Sequence, residues 1–360
     1  VLNSYDRFGV QAFTPVILNL SMIACAIYLT PYMREPILAL AWGVLIAGVL
    51  QLLFQLPFLM QLNLLPRPRV DYRHEGVRQI MKLMAPALFG VSVSQINLLL
   101  DTVLASFLET GSVSWLYYSD RLSELPLGVF GVAIGTVILP NLSRKHASES
   151  TEAFSRTLDW ALRSVLLLGI PAGLALSLLA EPMIATLFHY GETSEKDVIM
   201  SAQSLRAYAL ALMAFMLVKV LAPGFFSRQD MTTPVRIAVI AMTSNMVFNL
   251  ILVWPLAHAG LALATALSAW MNASLLLRGL HREGVFRPQP GWGRFGAQLL
   301  MANGAMGAML WFVASPANSW LGFTLGERLL EMSLLVVGGV LIYFVVLLAT
   351  GVRWRHFRMH

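Results

Sequence analysis

The sequence predicts an all-α, polytopic membrane protein built as a bundle of ten transmembrane helices. Composition is the first reason: 57% of the 360 residues are apolar and only 12% are charged, where an ordinary soluble domain carries about a quarter charged residues. A chain so poor in charge cannot cover a surface facing water, so lipid is its solvent; the mean hydropathy is +0.69. Segment length is the second. Crossing a hydrocarbon core of about 30 Å takes roughly 20 apolar residues at 1.5 Å each, and the apolar residues gather into runs of that length. The third is the placing of the basic residues, which sit in short loops and alternate between the two sides.

In chain order the predicted spans are 11–30, 36–60, 80–107, 112–140, 158–180, 199–226, 236–254, 257–279, 295–314 and 328–351. The first holds Pro15 and Cys25, the single cysteine, which leaves neither a disulfide framework nor a cysteine-based zinc site. The third bears Ser94, Gln95, Asn97 and Asp101. The fourth bears the densest polar string and Pro126, the fifth Pro171, and the sixth Lys219 and Pro223. Lys219 lies close enough to the loop at Arg228 to snorkel. The seventh span contains Asn245 and Asn249. The eighth contains Thr265, with His258 at its interfacial end. Prolines inside such spans are tolerated because neighbouring helices satisfy the freed backbone groups.

Loop charge gives the orientation. On one side lie Arg7; Arg67, Arg69, Arg73, Arg78 and Lys82; Arg144, Lys145, Arg156 and Arg163; Arg228 and Arg236; Arg278, Arg282, Arg287 and Arg294; and Arg353, Arg355 and Arg358. The other side has Arg34, Lys196, Arg206 and Arg328, a ratio of 19 to 4 among 25 basic residues. The positive-inside rule then places both chain ends in the cytoplasm. The same distribution turns the net charge of +6 away from nucleic acid, which needs a clustered basic face. The longest loop, 61–79, is too short to fold alone, which excludes catalysis by a soluble domain. The seven histidines form no HExxH motif and no paired ligand spacing.

Ionisable residues inside a bilayer cost about 2.5–3.5 kcal/mol each on insertion scales and mark function by default. The fourth span reads Tyr117-Tyr118-Ser119-Asp120-Arg121-Leu122-Ser123-Glu124. Arg121 stands about ten residues, or roughly 15 Å, into that helix. Spacings of three and four put Asp120, Arg121 and Glu124 on one broad face. The planar guanidinium suits a phosphate, with Asp120 and Glu124 holding it when no anion is present. The same string also reads as a self-neutralising structural cluster. Further along, Gly131 and Gly135 form a small-xxx-small pair for close helix packing. A second set, Asp101, Asn245, Asn249 and Thr265, offers carboxylate, amide and hydroxyl oxygens from three helices. These could cage a hard monovalent cation or simply join the helices by hydrogen bonds.

Several strings taken together resemble one family. They are Leu2-Asn3-Ser4-Tyr5 with Phe13-Thr14-Pro15, Gly111-Ser112-Val113-Ser114-Trp115 running into Tyr118 to Leu122, and Leu221-Ala222-Pro223-Gly224-Phe225-Phe226-Ser227-Arg228-Gln229-Asp230 with Thr233-Pro234. Asn272-Ala273-Ser274-Leu275 and Pro288-Gln289-Pro290-Gly291-Trp292 complete the set. The sequence resembles the MurJ (MviN) lipid II flippases of the MOP exporter superfamily over essentially its whole length. The resemblance implies a MOP-exporter-like bundle with ten of an expected fourteen helices: 1–60 as the end of the first lobe, 61–282 as the second six-helix lobe, and 283–360 as a helix pair lining a groove for a lipid tail.

The resemblance also implies a flippase and not an enzyme. The substrate would be lipid II, moved from the cytoplasmic to the periplasmic leaflet of the bacterial inner membrane. Arg121 and Glu124 fall on the family's functional second-lobe positions. Asp101, Asn245, Asn249 and Thr265 fall near positions that bind sodium in some members, although the family pattern has a carboxylate where this chain has Asn249. No organic cofactor is implied; a sodium gradient or the membrane potential would drive the cycle. Partners would be lipid II, membrane lipids and cell-wall synthesis proteins. The family's first four helices are absent, so the chain is expected to be part of a longer flippase and inactive alone. The alternatives are a flippase for O-antigen-type polyprenyl-linked glycans, a cation-coupled drug exporter, a membrane glycosyltransferase and a non-transporting scaffold. The exporter would need an acidic cavity without a central arginine. The glycosyltransferase would need a catalytic acidic outer loop, and the loop around Glu192 and Asp197 contains no such motif.

Overall fold

The computed structural model describes residues 8–62, 64, 75–147 and 150–352. The motif at 2–5 and the predicted cytoplasmic residues Arg7, Arg67, Arg69, Arg73, Arg353, Arg355 and Arg358 lie outside them, as do the side chains of Lys82, Ser94 and Lys145. The chain divides into two compact units, Val1–Leu83 and Met84–His360.

In the first unit α1 (Phe8–Tyr28) and α2 (Pro36–Gln61) form an antiparallel pair. Pro36 opens α2 at a position where a missing N–H costs nothing. The buried stripe of α2 is Ala39, Gly43 and Ala47, a four-residue spacing of small side chains that brings backbones together. A Cβ on Gly43 would stand 3.1 Å from the Cα of Met22, and at that same contact the hydroxyl of Ser21 donates to the carbonyl of Gly43 at 2.9 Å. Cys25 is buried there and free.

The rest of the chain is also helical: α3 (Glu75–Ser106), α4 (Ser112–Pro126), α5 (Val132–Ala147), α6 (Thr151–Leu178), α7 (Ala180–Phe188), α8 (Glu195–Phe226), α9 (Thr232–Arg282), α10 (Trp292–Val313), α11 (Ala317–Gly322) and α12 (Leu325–Ala349). Among the described residues seven helices are long and apolar enough to cross a membrane, and Ala12–Tyr28 forms a shorter apolar helix. Three of the predicted spans differ from expectation in form. The seventh and eighth are one 51-residue helical run, α9, interrupted at Ala257 (φ 47°, ψ −130°). Pro255 removes a backbone donor just before the break. A Cβ on Gly260 would fall 2.2 Å from the carbonyl oxygen of Leu252. Residues eight apart in a straight helix stand about 12 Å apart, so the chain reverses sharply here, and only glycine fits at 260. The fourth span is continuous but widens into a π turn at Leu127–Gly131, directly after Pro126.

Gly131 and Gly135 play the packing role their spacing predicts. Cβ atoms there would lie 3.6 Å from the Met216 side chain and 3.4 Å from the backbone oxygen of Lys219, both on α8. Lys219 itself is exposed. The main core draws on the helices from α4 to α12, with Leu158, Leu212, Met216 and Phe225 fully buried. Two capping boxes, Ser194 with Asp197 and Thr324 with Glu327, start α8 and α12.

Two polar pins fasten the C-terminal helices to the core. At the start of α10, Asp159 of α6 accepts from the Gln289 N–H at 3.0 Å and the Trp292 indole at 2.7 Å. Its other oxygen takes the Arg163 Nε–H at 2.8 Å. Arg163 also donates to the carbonyls of Gln289 and Pro290 and covers the Trp292 ring. At the start of α12, Arg328 is only 5% exposed. It donates to the carbonyls of Ala185, His189 and Leu321 and to Nδ1 of His189. Orphan carbonyls at the end of α7 are thereby satisfied.

Candidate functional site

The polar string of α4 is positioned by the face it buries. Ser112, Trp115, Leu116, Ser119, Leu122 and Ser123 are buried, a three-and-four spacing that seats the helix on α8. Ser119 fixes the register by donating to the backbone oxygen of Ser201 at 2.6 Å, while the Trp115 indole donates to Asp197 at 2.7 Å. The opposite face then presents Tyr117, Arg121, Glu124 and Leu125. Arg121 and Glu124 pair at 2.7 Å with 51% and 50% of their side chains exposed, and the guanidinium lies over the Tyr117 ring at 5.1 Å. Asp120 departs from expectation: it makes no ion pair with Arg121 among the described residues. As the adjacent residue it borders the buried face of α4 and is half-buried, although the Arg121 charge still acts on its carboxylate. The ion pair of the guanidinium is with Glu124. An exposed carboxylate of this kind can be displaced by an incoming anion.

The second predicted set does come together. The Asn249 amide donates to Asp101 at 2.6 Å and to the Asn245 carbonyl oxygen at 3.1 Å. The Asn245 amide reaches the Thr265 hydroxyl at 3.4 Å, and Thr265 donates to the carbonyl of Leu261 at 3.1 Å. Asn249 is fully buried, yet its side-chain oxygen has no partner. Turning that carboxamide over would aim the oxygen at Asp101 and give a cluster of one carboxylate, two amide oxygens, a hydroxyl and a backbone carbonyl. Such a set has the hard oxygen donors that a cation would need. Asn97 is nearby in sequence and also has an unpartnered buried oxygen, whereas Gln95 is exposed. Among the described residues no group of three or more His, Cys, Asp or Glu could hold a metal ion.

A third feature is apolar. A cavity of about 410 Å3 lies between α4, the π turn, α6, α10 and α12, lined by residues including Leu125, Phe130, Leu168, Met306, Leu335 and Phe344. Leu125 lies one residue beyond Glu124, so the polar face of α4 adjoins the mouth of this cavity.

Sequence reasoning missed several residues. His258 is not merely interfacial: it is buried, its Nε2 bonds the Met200 carbonyl at 3.0 Å, and its ring meets Trp115 edge-on at 4.8 Å. Arg328 and Arg163, loop charges by sequence, are pins. The i,i+4 spacing of Asp159 and Arg163 was a legible signal; nothing in the sequence pointed to His258 or Arg328.

These three features, a half-exposed arginine, a buried polar cluster and an apolar cavity, belong to a helical membrane bundle. Its fold is that of the MOP exporters. A solved lipid II flippase MurJ in an inward closed conformation matches 96% of this chain and 68% of its own at a TM-score of 0.77 and 23% identity. An outward-facing MATE multidrug transporter of the MOP superfamily matches 75% of this chain and 64% of its own at 0.50 and 16% identity. The chain belongs to the lipid II flippase MurJ family, whose model matches residues 1–330. It is 51% identical to a probable lipid II flippase MurJ of Vibrio cholerae over 98% of its length and 67% of the relative's. Identity is 49% to the Haemophilus influenzae counterpart over 99% and 71%, and 40% to the Burkholderia cenocepacia lipid II flippase MurJ over 99% and 70%. The chain thus spans about two thirds of the length of these relatives.

Proposed function

We propose that this multi-pass membrane protein translocates lipid II, carrying the undecaprenyl-diphosphate-linked peptidoglycan precursor from the cytoplasmic to the periplasmic leaflet by alternating access. The observation that supports this most directly is Arg121, a half-exposed guanidinium deep in a membrane helix, held only by Glu124 and the Tyr117 ring. The diphosphate displaces Glu124 and takes the guanidinium fork. A charge-assisted contact of this kind is worth about 1.5–3 kcal/mol, so other cationic groups share the load. The polyprenyl tail lies in the apolar cavity between α6, α10 and α12, one residue from Glu124. An exporter of organic cations would have no use for Arg121.

In this reading the chain supplies ten spans, α9 counting as two and α3 as one. They fall into the end of one lobe (1–60), a second lobe (61–282) and a tail-binding pair (283–360), in the bacterial inner membrane with both ends cytoplasmic. Asp101, Asn245, Asn249 and Thr265 form a sodium site that resets the lobes. The single carboxylate suits a single positive charge, and the unpartnered Asn249 oxygen supplies the ligand that the family's usual carboxylate would.

Complementation tests the reading. The chain, alone and fused behind the N-terminal third of the Vibrio relative, would be expressed in cells depleted of their own lipid II flippase. The fusion should restore growth, and Arg121→Ala should abolish rescue at equal membrane abundance. Rescue by the Arg121→Ala fusion would remove this arginine from the mechanism, and failure of the unmutated fusion would count against the substrate.

A further inference from the structure

Between α6 and α10 lies a groove that the proposed transport cycle does not use. Each helix carries a ridge with a four-residue repeat: Leu166, Ile170, Leu174 and Leu178 on α6, and Gly296, Leu300, Gly304 and Ala308 on α10. Two hollows of about 260 and 480 Å3 lie along these ridges, one toward Trp292 and the other toward Phe312, and they meet at Leu300 and Asn303. Trp292 and Phe312 are about 20 residues apart, so the groove runs roughly 30 Å along the helix, the hydrocarbon thickness of a bilayer. Cβ atoms at Gly296 and Gly304 would meet nothing within 4 Å, which leaves the α10 wall as bare backbone there.

Apart from Asn303 and the indole of Trp292, already bonded to Asp159, the lining is apolar. Asn303 stands about eleven residues, or roughly 16 Å, into α10, close to mid-bilayer, and is 7% exposed. Its amide donates to the carbonyl of Leu299 on its own helix at 2.8 Å, while its side-chain oxygen has no partner. Turning the carboxamide over would orphan an N–H in place of the oxygen. Either way an unmet polar group in hydrocarbon is costly.

Whatever fills this groove must bring a hydrogen-bonding group to mid-depth. Acyl chains have neither donor nor acceptor, and those of each leaflet end near the midplane. Water is absent from the hydrocarbon core. A transmembrane helix meets the need. It matches a groove of bilayer length, and bare glycine lets its backbone come close. A serine or threonine hydroxyl both donates and accepts, so it satisfies the carboxamide in either orientation.

We propose that the α6–α10 groove docks a transmembrane helix of a partner protein, one with a serine or threonine at mid-depth facing Asn303. The groove shares no lining residue with the cavity assigned to the lipid tail, so docking and transport can be tested apart.

The chain, and its fusion behind the N-terminal third of the Vibrio relative, would be placed in liposomes. Lysine-flanked polyleucine helices with serine or leucine at the centre, dansylated at one end, serve as probes. Energy transfer from tryptophan to dansyl is read against Trp311→Phe, which keeps an aromatic ring at the groove's rim and removes the donor. The serine probe should bind about threefold or more tighter than the leucine probe, the ratio an average interhelical hydrogen bond gives in a membrane. Asn303→Leu should make the two probes equal without lowering the unfolding temperature. Gly304→Leu projects into open space, so the fold should stand while both probes lose binding. Equal binding of the probes to the unmutated chain, no binding of either, or binding that survives Gly304→Leu overturns the proposal. So does binding lost in the fusion, which would give the groove to the longer protein's own helices. Association of two differently tagged copies that Gly304→Leu disperses would make the occupant a second copy and overturn a separate partner.

Discussion

Arg121 on α4 and the arginines beneath the C-terminal helices, Arg163 and Arg328, are the same side chain in opposite circumstances. Arg328 has four hydrogen bonds to backbone and imidazole acceptors and almost no exposure. Arg163 is held by a buried carboxylate, two carbonyls and two aromatic faces. Arg121 has a single carboxylate from its own helix and one tyrosine ring, and keeps half its surface open. In the proposed reading the difference separates structure from function. A guanidinium buried among several backbone acceptors, as Arg328 is even with its Nε–H unpartnered, is closed to a ligand and joins elements. An exposed one, kept within a membrane helix at considerable cost, still has donors to give. Exposure is what sets Arg121 apart in that reading: its guanidinium is half open, whereas that of Arg328 is closed in.

The comparison can be broken most easily at the pin. Asp159→Ala strips an acceptor from the Gln289 N–H, the Trp292 indole and Arg163 at once. Losing one partner of a buried pair costs about 3–5 kcal/mol, and the 23% of Arg163 still in solvent argues for about 3 kcal/mol. A fall of that size in unfolding stability in detergent, with α10 becoming protease-sensitive at Trp292, is the expected result; a change below about 1 kcal/mol would show that the pin does not fasten the C-terminal pair. Arg121→Ala should do the reverse. An exposed i,i+3 pair contributes about 0–1 kcal/mol, so unfolding should barely move while transport is lost. A large loss of stability in Arg121→Ala would make it another structural arginine and erase the contrast.

The smallest effect concerns Asp230, in the turn between α8 and α9. The Thr233 N–H and hydroxyl, and then the Thr232 N–H, hold its carboxyl below the ordinary carboxylate range. A carboxylate with a lowered folded-state pKa stabilises the protein above its unfolded value, near 3.9. That contribution fades as pH falls from there through the lower folded value. Asp230→Ala should cost about 1 kcal/mol at neutral pH, as for other helix caps, and nothing at low pH. Asp230→Asn keeps the acceptor and should flatten the pH dependence in the same unfolding measurement.

Much of the molecule was legible in its sequence. Low charge and apolar run length dictate a helical membrane protein because unpaired backbone groups cannot be left in hydrocarbon. The three-residue spacing of Arg121 and Glu124 puts them on one face because helical periodicity is local; the Tyr117 ring beside them was not anticipated. Asp101, Asn245, Asn249 and Thr265 could be grouped because polar residues in adjacent membrane helices seek one another. Tertiary structure alone decided the rest. That Arg121 pairs with Glu124 and not with Asp120 depends on which face of α4 packs against α8. That α9 reverses at Ala257 without a loop depends on the close approach of Gly260 to Leu252. That Arg328 is a pin depends on carbonyls at the end of α7, more than 130 residues earlier in the chain. Helical period and hydropathy are properties of neighbours along the chain, and sequence displays them directly. Whether a side chain's hydrogen bonds are already used depends on neighbours in space, which only the packed bundle brings together.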